Sequence, residues 1–236
     1  MNAAGPAKPT IKKFVYKARG IALRGSIRKP FYQELGEHAI VTTHAGAEGH
    51  QRAQSENFSI PKYIQYKTAS SEVTTEMTGQ APNRLFRTRV SSVVEGLNVL
   101  NGRITADRVI SVLTSVFDER FYPKEPSPRI SPFGSKYENL RIDKKPQQVS
   151  LPPPFNTDPD DFFNRRTNKD TITPNITADP VHLEGLGTVY FAEWVWVHPD
   201  EQEQQVLVML RLALGSFAGM DCDVCMCASD GSGIDP

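Results

Sequence analysis

The stretch VSSVVEGLNVLNGRITADRVISVLTSVF, residues 90–117, decides the fold of this chain. It is rich in Val, Ile, Leu and Thr, whose side chains pack well on a pleated sheet. The dipeptide Asn101-Gly102 interrupts it. Asn-Gly is typical of a two-residue hairpin turn, because both central residues of that turn need positive φ. The sequence therefore predicts two antiparallel strands, over 90–99 and 104–116, joined by a tight turn.

Period-two alternation of apolar and polar residues, the pattern of a half-buried strand, continues through most of the chain. Further strands are predicted over residues 13–28, 38–44, 55–60, 62–77, 135–142, 188–198 and 205–214. The chain is therefore expected to be mainly β, built as an antiparallel β-sandwich or a barrel-like stack of hairpins. An irregular β-solenoid is the alternative architecture.

Proline marks the organisation of the chain, since eleven of its eighteen prolines lie in residues 121–180. Proline removes a ladder donor, so this region predicts connectors rather than central strands. Asp158 and Pro159 fit the start of a short helix near 158–167. The predicted parts are a flexible N-terminal arm (1–12), a β domain (13–151), a Pro-rich excursion with the short helix (152–187), a C-terminal hairpin that completes the same domain (188–228) and a flexible tail (229–236).

A short element recurs as ENFSI (56–60), EGLNV (95–99) and ENLRI (138–142), with EGLGTV (184–189) as a looser copy. The third and fifth residues of each copy share one face of a strand, so they are expected to point into one core. Asn or Gly at the second position suits a bulge or a turn. The leading Glu residues form either a shared site or simply the generic start of an inward-facing strand.

The segments SSVVEGLNVLNGRITADRV, GSKYENLRI and AQSENF resemble a group of uncharacterised bacterial β-rich proteins. They are more distantly similar to the choice-of-anchor type of secreted repeat, with its Asn-Leu strands and TAD segments. The resemblance covers roughly residues 14–145. It implies a β-rich fold and no functional residues.

The net charge is zero, but the two ends of the chain have opposite charges. Residues 1–30 hold eight bases and no acid, whereas residues 181–236 hold nine acids and one base. The ends are expected to neutralise each other, within one subunit or between neighbours that add strands head to tail. The candidate self-association residues are Lys12, Lys13, Lys17, Arg19, Glu201 and Glu203. Nucleic acid is not expected as a partner, because the rest of the chain lacks a basic stripe with stacking aromatics.

All three cysteines, Cys222, Cys225 and Cys227, lie within six residues near the C-terminus. A C-x-x-C knuckle is a common half of a zinc site, which here would need a histidine as the fourth ligand. The alternatives are a redox or intermolecular disulfide pair, or a structural strand in which cysteine acts as a small apolar residue.

The segment YFAEWVWVHP (190–199) holds both tryptophans. Strand alternation places Trp194, Trp196 and His198 on one face together with Tyr190, where they would form a platform for stacking on sugar rings. The alternative is burial, because the facing segment 205–214 is apolar on both faces and thus typical of a strand buried on both sides.

The chain contains no phosphate-binding loop, nucleophile elbow or H-E-x-x-H motif. The expected function is therefore that of a non-enzymatic structural or assembly protein, a homo-oligomer without a cofactor. A carbohydrate-binding module and a metal or redox protein that uses the cysteines are the alternatives. No run approaches the roughly 18 apolar residues of a membrane span. The N-terminus lacks an apolar signal stretch, which predicts a cytoplasmic protein or export by a signal-independent route.

Overall fold

The computed structural model describes residues 13–29, 31–124, 128–158, 178–197, 204–215 and 221–230, with backbone only at 45, 195–197, 204–205 and 221–230. The described strands are β1 (Tyr16–Lys29), β2 (Gln33–His38), β3 (Val41–Ala45), β4 (Gly49–Ile60), β5 (Ile64–Thr78), β6 (Leu85–Val99), β7 (Ile104–Asp118), β8 (Arg129–Ser131), β9 (Lys136–Glu138), β10 (Arg141–Ile142), β11 (Lys145–Pro146), β12 (Ala178–Leu183), β13 (Gly187–Val197), β14 (Gln204–Leu214) and β15 (Asp221–Asp230). Single 3₁₀ turns lie at Glu119–Phe121 and Pro153–Phe155. No helix in these residues is long and apolar enough to cross a membrane.

The strands form two antiparallel sheets. The first sheet has the order β12-β13-β14-β15-β1-β2, with β3 also paired to β1. The second has the order β11-β10-β7-β6-β5-β4, with β8 and β9 also paired to β7. The sheets pack face to face, with β1 against β5 and β6, β15 against β6 and β7, and β14 against β7. The predicted antiparallel β-sandwich is therefore confirmed, and the alternative of a solenoid is wrong.

The β6–β7 hairpin forms as its turn residues predict. Val99 pairs with Ile104, and Asn101 and Gly102 have φ values of 53° and 83°. The Arg103 amide donates to the Leu100 carbonyl across the turn (3.2 Å). Positive φ at both central residues is the geometry that Asn-Gly favours.

A buried ion pair closes the open end of the same hairpin. The Glu119 carboxylate is fully buried and accepts hydrogen bonds from Arg84 Nε (2.8 Å) and Nη2 (2.7 Å). The Glu119 amide in turn donates to the Arg84 carbonyl (3.0 Å). This bidentate contact with Glu119 raises the pKa of Arg84. The carboxylate is therefore held by a structural partner.

The first sheet joins the two ends of the chain. β1 pairs with β15 along one edge, from Gly20 opposite Ser229 to Lys29 opposite Asp221. Its other edge pairs with β2 and β3. The basic N-terminal strand therefore lies beside the acidic C-terminal strand within one chain, in the interior of the sheet.

The main core lies between the sheets and draws on both, with buried members such as Leu23, Val94, Leu97, Phe191 and Leu210. A separate aromatic cluster closes one end, where the rings of Phe14 and Phe86 stack with centroids 4.2 Å apart. Tyr16 belongs to this cluster, and burial raises its pKa to about 12, with smaller contributions from Glu48 and Glu76.

Several predicted boundaries differ from the structure. β12 lies inside the predicted Pro-rich excursion, because an edge strand tolerates Pro180. β15 continues to Asp230, two residues into the predicted tail. The predicted strand over 135–142 is split at Asn139 into β9 and β10. The predicted arm (1–12) and all of the predicted helix beyond Asp158 lie outside the described residues.

Candidate assembly surface

The recurring element lines up across the second sheet. The paired residues run Glu56, Thr68, Glu95, Arg108 and Glu138 on β4, β5, β6, β7 and β9. The next residues of the three copies all have positive φ: Asn57 (53°), Gly96 (63°) and Asn139 (53°). No residue pairing is made through these positions, so the ladder breaks along one line. The pairing keeps its register across the break, since Glu56 opposite Thr68 is followed by Phe58 opposite Tyr66, so neither strand carries an extra residue. The predicted bulge is therefore not formed, and the second position of each copy is a residue of positive φ that stays in register.

The alternation of inward and outward residues shifts by one position at this break. On β6, for example, Val90, Val94, Leu97 and Val99 are buried, so Glu95 and Gly96 both fall on the outer face. The two outward residues of each strand form a polar band across the sheet. The band comprises Glu56, Asn57, Lys67, Thr68, Glu95, Gly96, Asp107, Arg108, Glu138 and Asn139.

Gly96 suits its place in the polar band for two reasons. Its φ of 63° is one that glycine adopts freely and that, among residues with a Cβ, mainly Asn and Asp tolerate, as Asn57 and Asn139 do at the equivalent positions. A Cβ there would also lie 2.7 Å from Cγ of Lys67. The prediction that the third and fifth residues point into one core is confirmed, since Leu97 and Val99 belong to the main core together with their counterparts in the other copies.

The groups of the polar band bind one another. Arg108 Nε donates to Glu138 (2.6 Å), Lys136 Nζ contacts the same carboxylate (2.7 Å), and the Thr68 hydroxyl donates to Glu95 (2.6 Å). Lys136 and then Arg108 hold the pKa of Glu138 below the ordinary value for glutamate. A folded-state pKa below the unfolded one stabilises the fold above the ordinary pKa, and this contribution is lost as the pH falls through the lowered value.

Replacing either Lys136 or Arg108 by Gln should raise the pKa of Glu138, because a hydrogen bond from each of these side chains holds that pKa down. A carboxyl-carbon NMR titration of both variants measures this directly. An unchanged Glu138 midpoint in both variants would contradict the ion pairs described here.

The three Glu residues do not converge on one centre. Neighbouring strands lie about 4.8 Å apart, so Glu56, Glu95 and Glu138, each two strands from the next, are about 10 Å apart. Thr68 and Arg108 stand between them. The row therefore fits the generic start of inward-facing strands rather than a shared carboxylate site.

A hydrogen-bonded chain links the two sheets beside β4. His38 of β2 contacts the Leu35 carbonyl through Nε2 (2.7 Å) and the Tyr66 hydroxyl through Nδ1 (2.7 Å). A carbonyl only accepts, so Nε2 carries a proton, and in the tautomer protonated there Nδ1 accepts from the Tyr66 hydroxyl. The Tyr66 oxygen then accepts from the Ser55 hydroxyl (2.9 Å). Burial raises the pKa of Tyr66, which keeps this proton in place. The chain of hydrogen bonds therefore ties the two sheets together.

The ends of the two sheets are built differently. β12 and β2 have six residues each and contain register shifts, and β12 also contains Pro180. β11 has two residues, one of them Pro146. These are the devices by which proteins blunt a sheet edge. β4 has twelve residues and no proline, and it pairs with β5 in unbroken register from Gly49 to Glu56. Among the described residues, no strand pairs with the outer edge of β4.

The predicted aromatic platform is not formed as expected. Trp194 is 7% exposed and belongs to the main core. Tyr190 lies on the opposite face, where Arg211 stacks on its ring at 4.0 Å and binds Glu193. The reason is Ala192, whose φ of 50° shifts the alternation of side chains along β13. The Trp196 side chain and all of His198 lie outside the described residues.

Ala192 stands opposite Met209 at a point where the β13–β14 pairing is interrupted. The Tyr137 hydroxyl of β9 donates to the Met209 carbonyl there, and its ring packs edge-on against Phe191 (5.8 Å). At this break in the first sheet, the Met209 carbonyl therefore accepts a hydrogen bond from a residue of the second sheet. Prediction from simple alternation fails here because it assumes an uninterrupted ladder.

The cysteines lie on a continuous strand, as the structural alternative predicts. Cys222 pairs with Ile27 and Leu214, which are buried, whereas Cys225 pairs with Arg24 and Arg211. Positions 222 and 225 therefore fall on opposite faces of the sheet. Among the residues with described side chains, no group of three His, Cys, Asp or Glu is placed to hold a metal. The cysteine side chains are not among them, so the zinc site stays a prediction.

Of the predicted self-association residues, Lys17 and Arg19 lie on β1, whose two edges are already paired within the chain. Arg19 donates to Glu37 of β2 (2.6 Å). Lys13 is exposed just before β1, and Lys12, Glu201 and Glu203 lie outside the described residues. The sequence does not predict the part of β4 before Ser55 as a strand. The reason is that this edge strand is polar on most of both faces and shows no alternation of apolar and polar residues.

The family model described as "Domain of unknown function (DUF8256)" matches residues 14–177. Comparisons with curated proteins and with solved structures gave no match. The matched segment contains β1 to β11 and ends just before β12. Because it covers well over half of the 236 residues, the chain belongs to this family of domains of unknown function.

Proposed function

We propose that this chain is a non-enzymatic structural protein that self-associates through the edge of its β-sandwich. The observation that carries the proposal is the long, regular edge of β4. The other three sheet ends, in contrast, are short, irregular in pairing register or interrupted by proline. An open edge is a template for adding another strand, and main-chain hydrogen bonds then supply the affinity.

The polar groups of the sandwich support this function. Arg108, Glu138, Thr68 and Glu95 of the polar band have partners in the same fold. So do the ion pair of Arg84 and Glu119 and the chain from His38 to Ser55. Their arrangement stiffens the two sheets and fixes the position of their edges. A stiff module whose longest regular edge among the described strands is β4 suits a building block.

Sedimentation of the whole chain over a wide concentration range tests the proposal. We expect reversible association that persists at physiological salt, because strand addition relies on main-chain hydrogen bonds rather than on screened surface charge. A sharp monomer at every concentration, at both low and physiological salt, would refute it.

Ligand binding is a second candidate function, and exposed aromatics favour it. Tyr32 is 71% exposed beside Phe31, whose ring contacts Tyr63 edge-on at 5.2 Å. Aromatic rings presented in this way can stack on sugars. A glycan array probed with wild type and Tyr32→Ala tests it: signals lost in the variant support the platform, and a blank array for wild type argues against it.

A further inference from the structure

We infer that β4 pairs with β4 of a second copy of this chain, antiparallel and centred on Ala53, which joins two eight-stranded sheets into one. This inference rests on the proposed self-association and names its partner and register. It draws on the charge pattern of β4 and on the length of its regular edge.

The side chains of β4 alternate between the two faces. His50, Arg52, Gln54 and Glu56 are exposed and pair with outward residues of β5. Ala53 packs against an inner cluster of Ala18, Val41, Val73 and Val90, and Ser55 binds Tyr66. The inner face is thus fixed by the fold. On the exposed outer face, His50 Nε2 lies 3.1 Å from the Glu72 carboxylate and Gln54 donates to Glu56 (2.9 Å), and the same side chains border the edge of β4.

A two-fold axis perpendicular to the sheet keeps the outer faces of both copies on the same side. The regular stretch that ends before the break at Asn57 runs from Gly49 to Glu56. Centring the pairing on Ala53 uses seven of its residues, His50 to Glu56, from each copy. Pairing about Ala53 sets His50 opposite Glu56 of the partner subunit and Arg52 opposite Gln54 of the partner subunit. Each contact occurs twice because the interface is isologous.

This register is self-complementary in charge. The His50 ring faces the Glu56 carboxylate of the partner subunit, to which an imidazole N–H can donate, and Arg52 faces an amide of the kind that already accepts from it within one chain (3.4 Å). Like charges directly opposite each other are destabilising, and this register contains none. A pairing centred on Arg52 would instead place the arginines of the two copies face to face. A pairing centred on Gln54 would be only five residues long, because Asn57 interrupts the strand.

Charge variants at Gln54 test the register. Gln54→Lys places a cation opposite Arg52 of the partner subunit twice and should weaken dimerisation about tenfold, whereas Gln54→Glu should tighten it by a similar factor. Arg52→Gln combined with Gln54→Lys should restore wild-type affinity. Gln65→Lys and Gln65→Glu are the controls, since Gln65 is exposed on β5 away from the edge and should leave the affinity unchanged.

The dissociation constants come from sedimentation equilibrium of the full-length chain. A chain that self-associates with the same affinity in both Gln54 variants would overturn the β4 interface while leaving self-association intact. Weakening by both Lys and Glu would overturn the register about Ala53, because only pairing of Gln54 with itself penalises either charge. A wild-type chain that is monomeric throughout would overturn the proposed function and this inference together.

Discussion

A chain shortened to residues 14–177, the segment that matches the family model, should not fold into a soluble monomer. It lacks β12 to β15, which form four of the seven strands of the first sheet. β1 would lose its pairing from Gly20 to Lys29, and the core would lose Phe191, Leu207 and Leu210. The inner faces of β6 and β7 that β14 and β15 cover would be exposed to water. Exposed apolar sheet and an unpaired edge favour aggregation.

Circular dichroism and urea unfolding of the two lengths measure this. A chain ending at Asp230 is the matched control, since it keeps every described strand and should unfold cooperatively like the full chain. A segment 14–177 that unfolds in one cooperative transition at the midpoint of the full chain would show that the second sheet and β1 to β3 suffice.

Replacing Trp194 by Ala should lower the free energy of unfolding by about 3–5 kcal/mol, the usual cost of truncating a large buried aromatic side chain. Trp194 is 7% exposed and packs in the main core between the sheets. Trp194→Phe should cost less. It leaves a smaller cavity, and it also removes an indole N–H that is buried without a hydrogen-bond partner among the described residues.

Urea unfolding of wild type and both variants gives the two differences. Unfolding midpoints that stay at the wild-type value, together with the loss of a bound sugar, would contradict burial and restore the aromatic platform predicted from the sequence.

Local signals in the sequence predicted much of the fold. Asn101-Gly102 predicted its hairpin because few other dipeptides accept positive φ twice. Asn57, Gly96 and Asn139 suit a bulge or a turn because Asn and Gly tolerate positive φ, and all three have positive φ without a shift of register. What the sequence did not show is that these positions fall on one line across the sheet, because that depends on the pairing register of strands far apart in the chain.

The candidate site was harder to predict than the fold. The basic and acidic ends of the chain suggested a contact between neighbours or within one subunit, and the structure pairs β1 with β15 inside one chain. Composition carries no information on which of the two occurs. The open edge of β4 was missed because an edge is a property of the whole sheet. A strand that is polar on most of both faces looks like a loop until the strand beside it, here β5, is known.

Hydrogen exchange of the full-length chain, followed from dilute to concentrated solution, tests the central claim most directly. Assembly through β4 predicts that amides between Gly49 and Glu56 gain protection as the protein associates, while amides in β12 and β2 do not. Exchange in this stretch that is the same at all concentrations, in a chain that sedimentation shows to be associated, would contradict assembly through this edge.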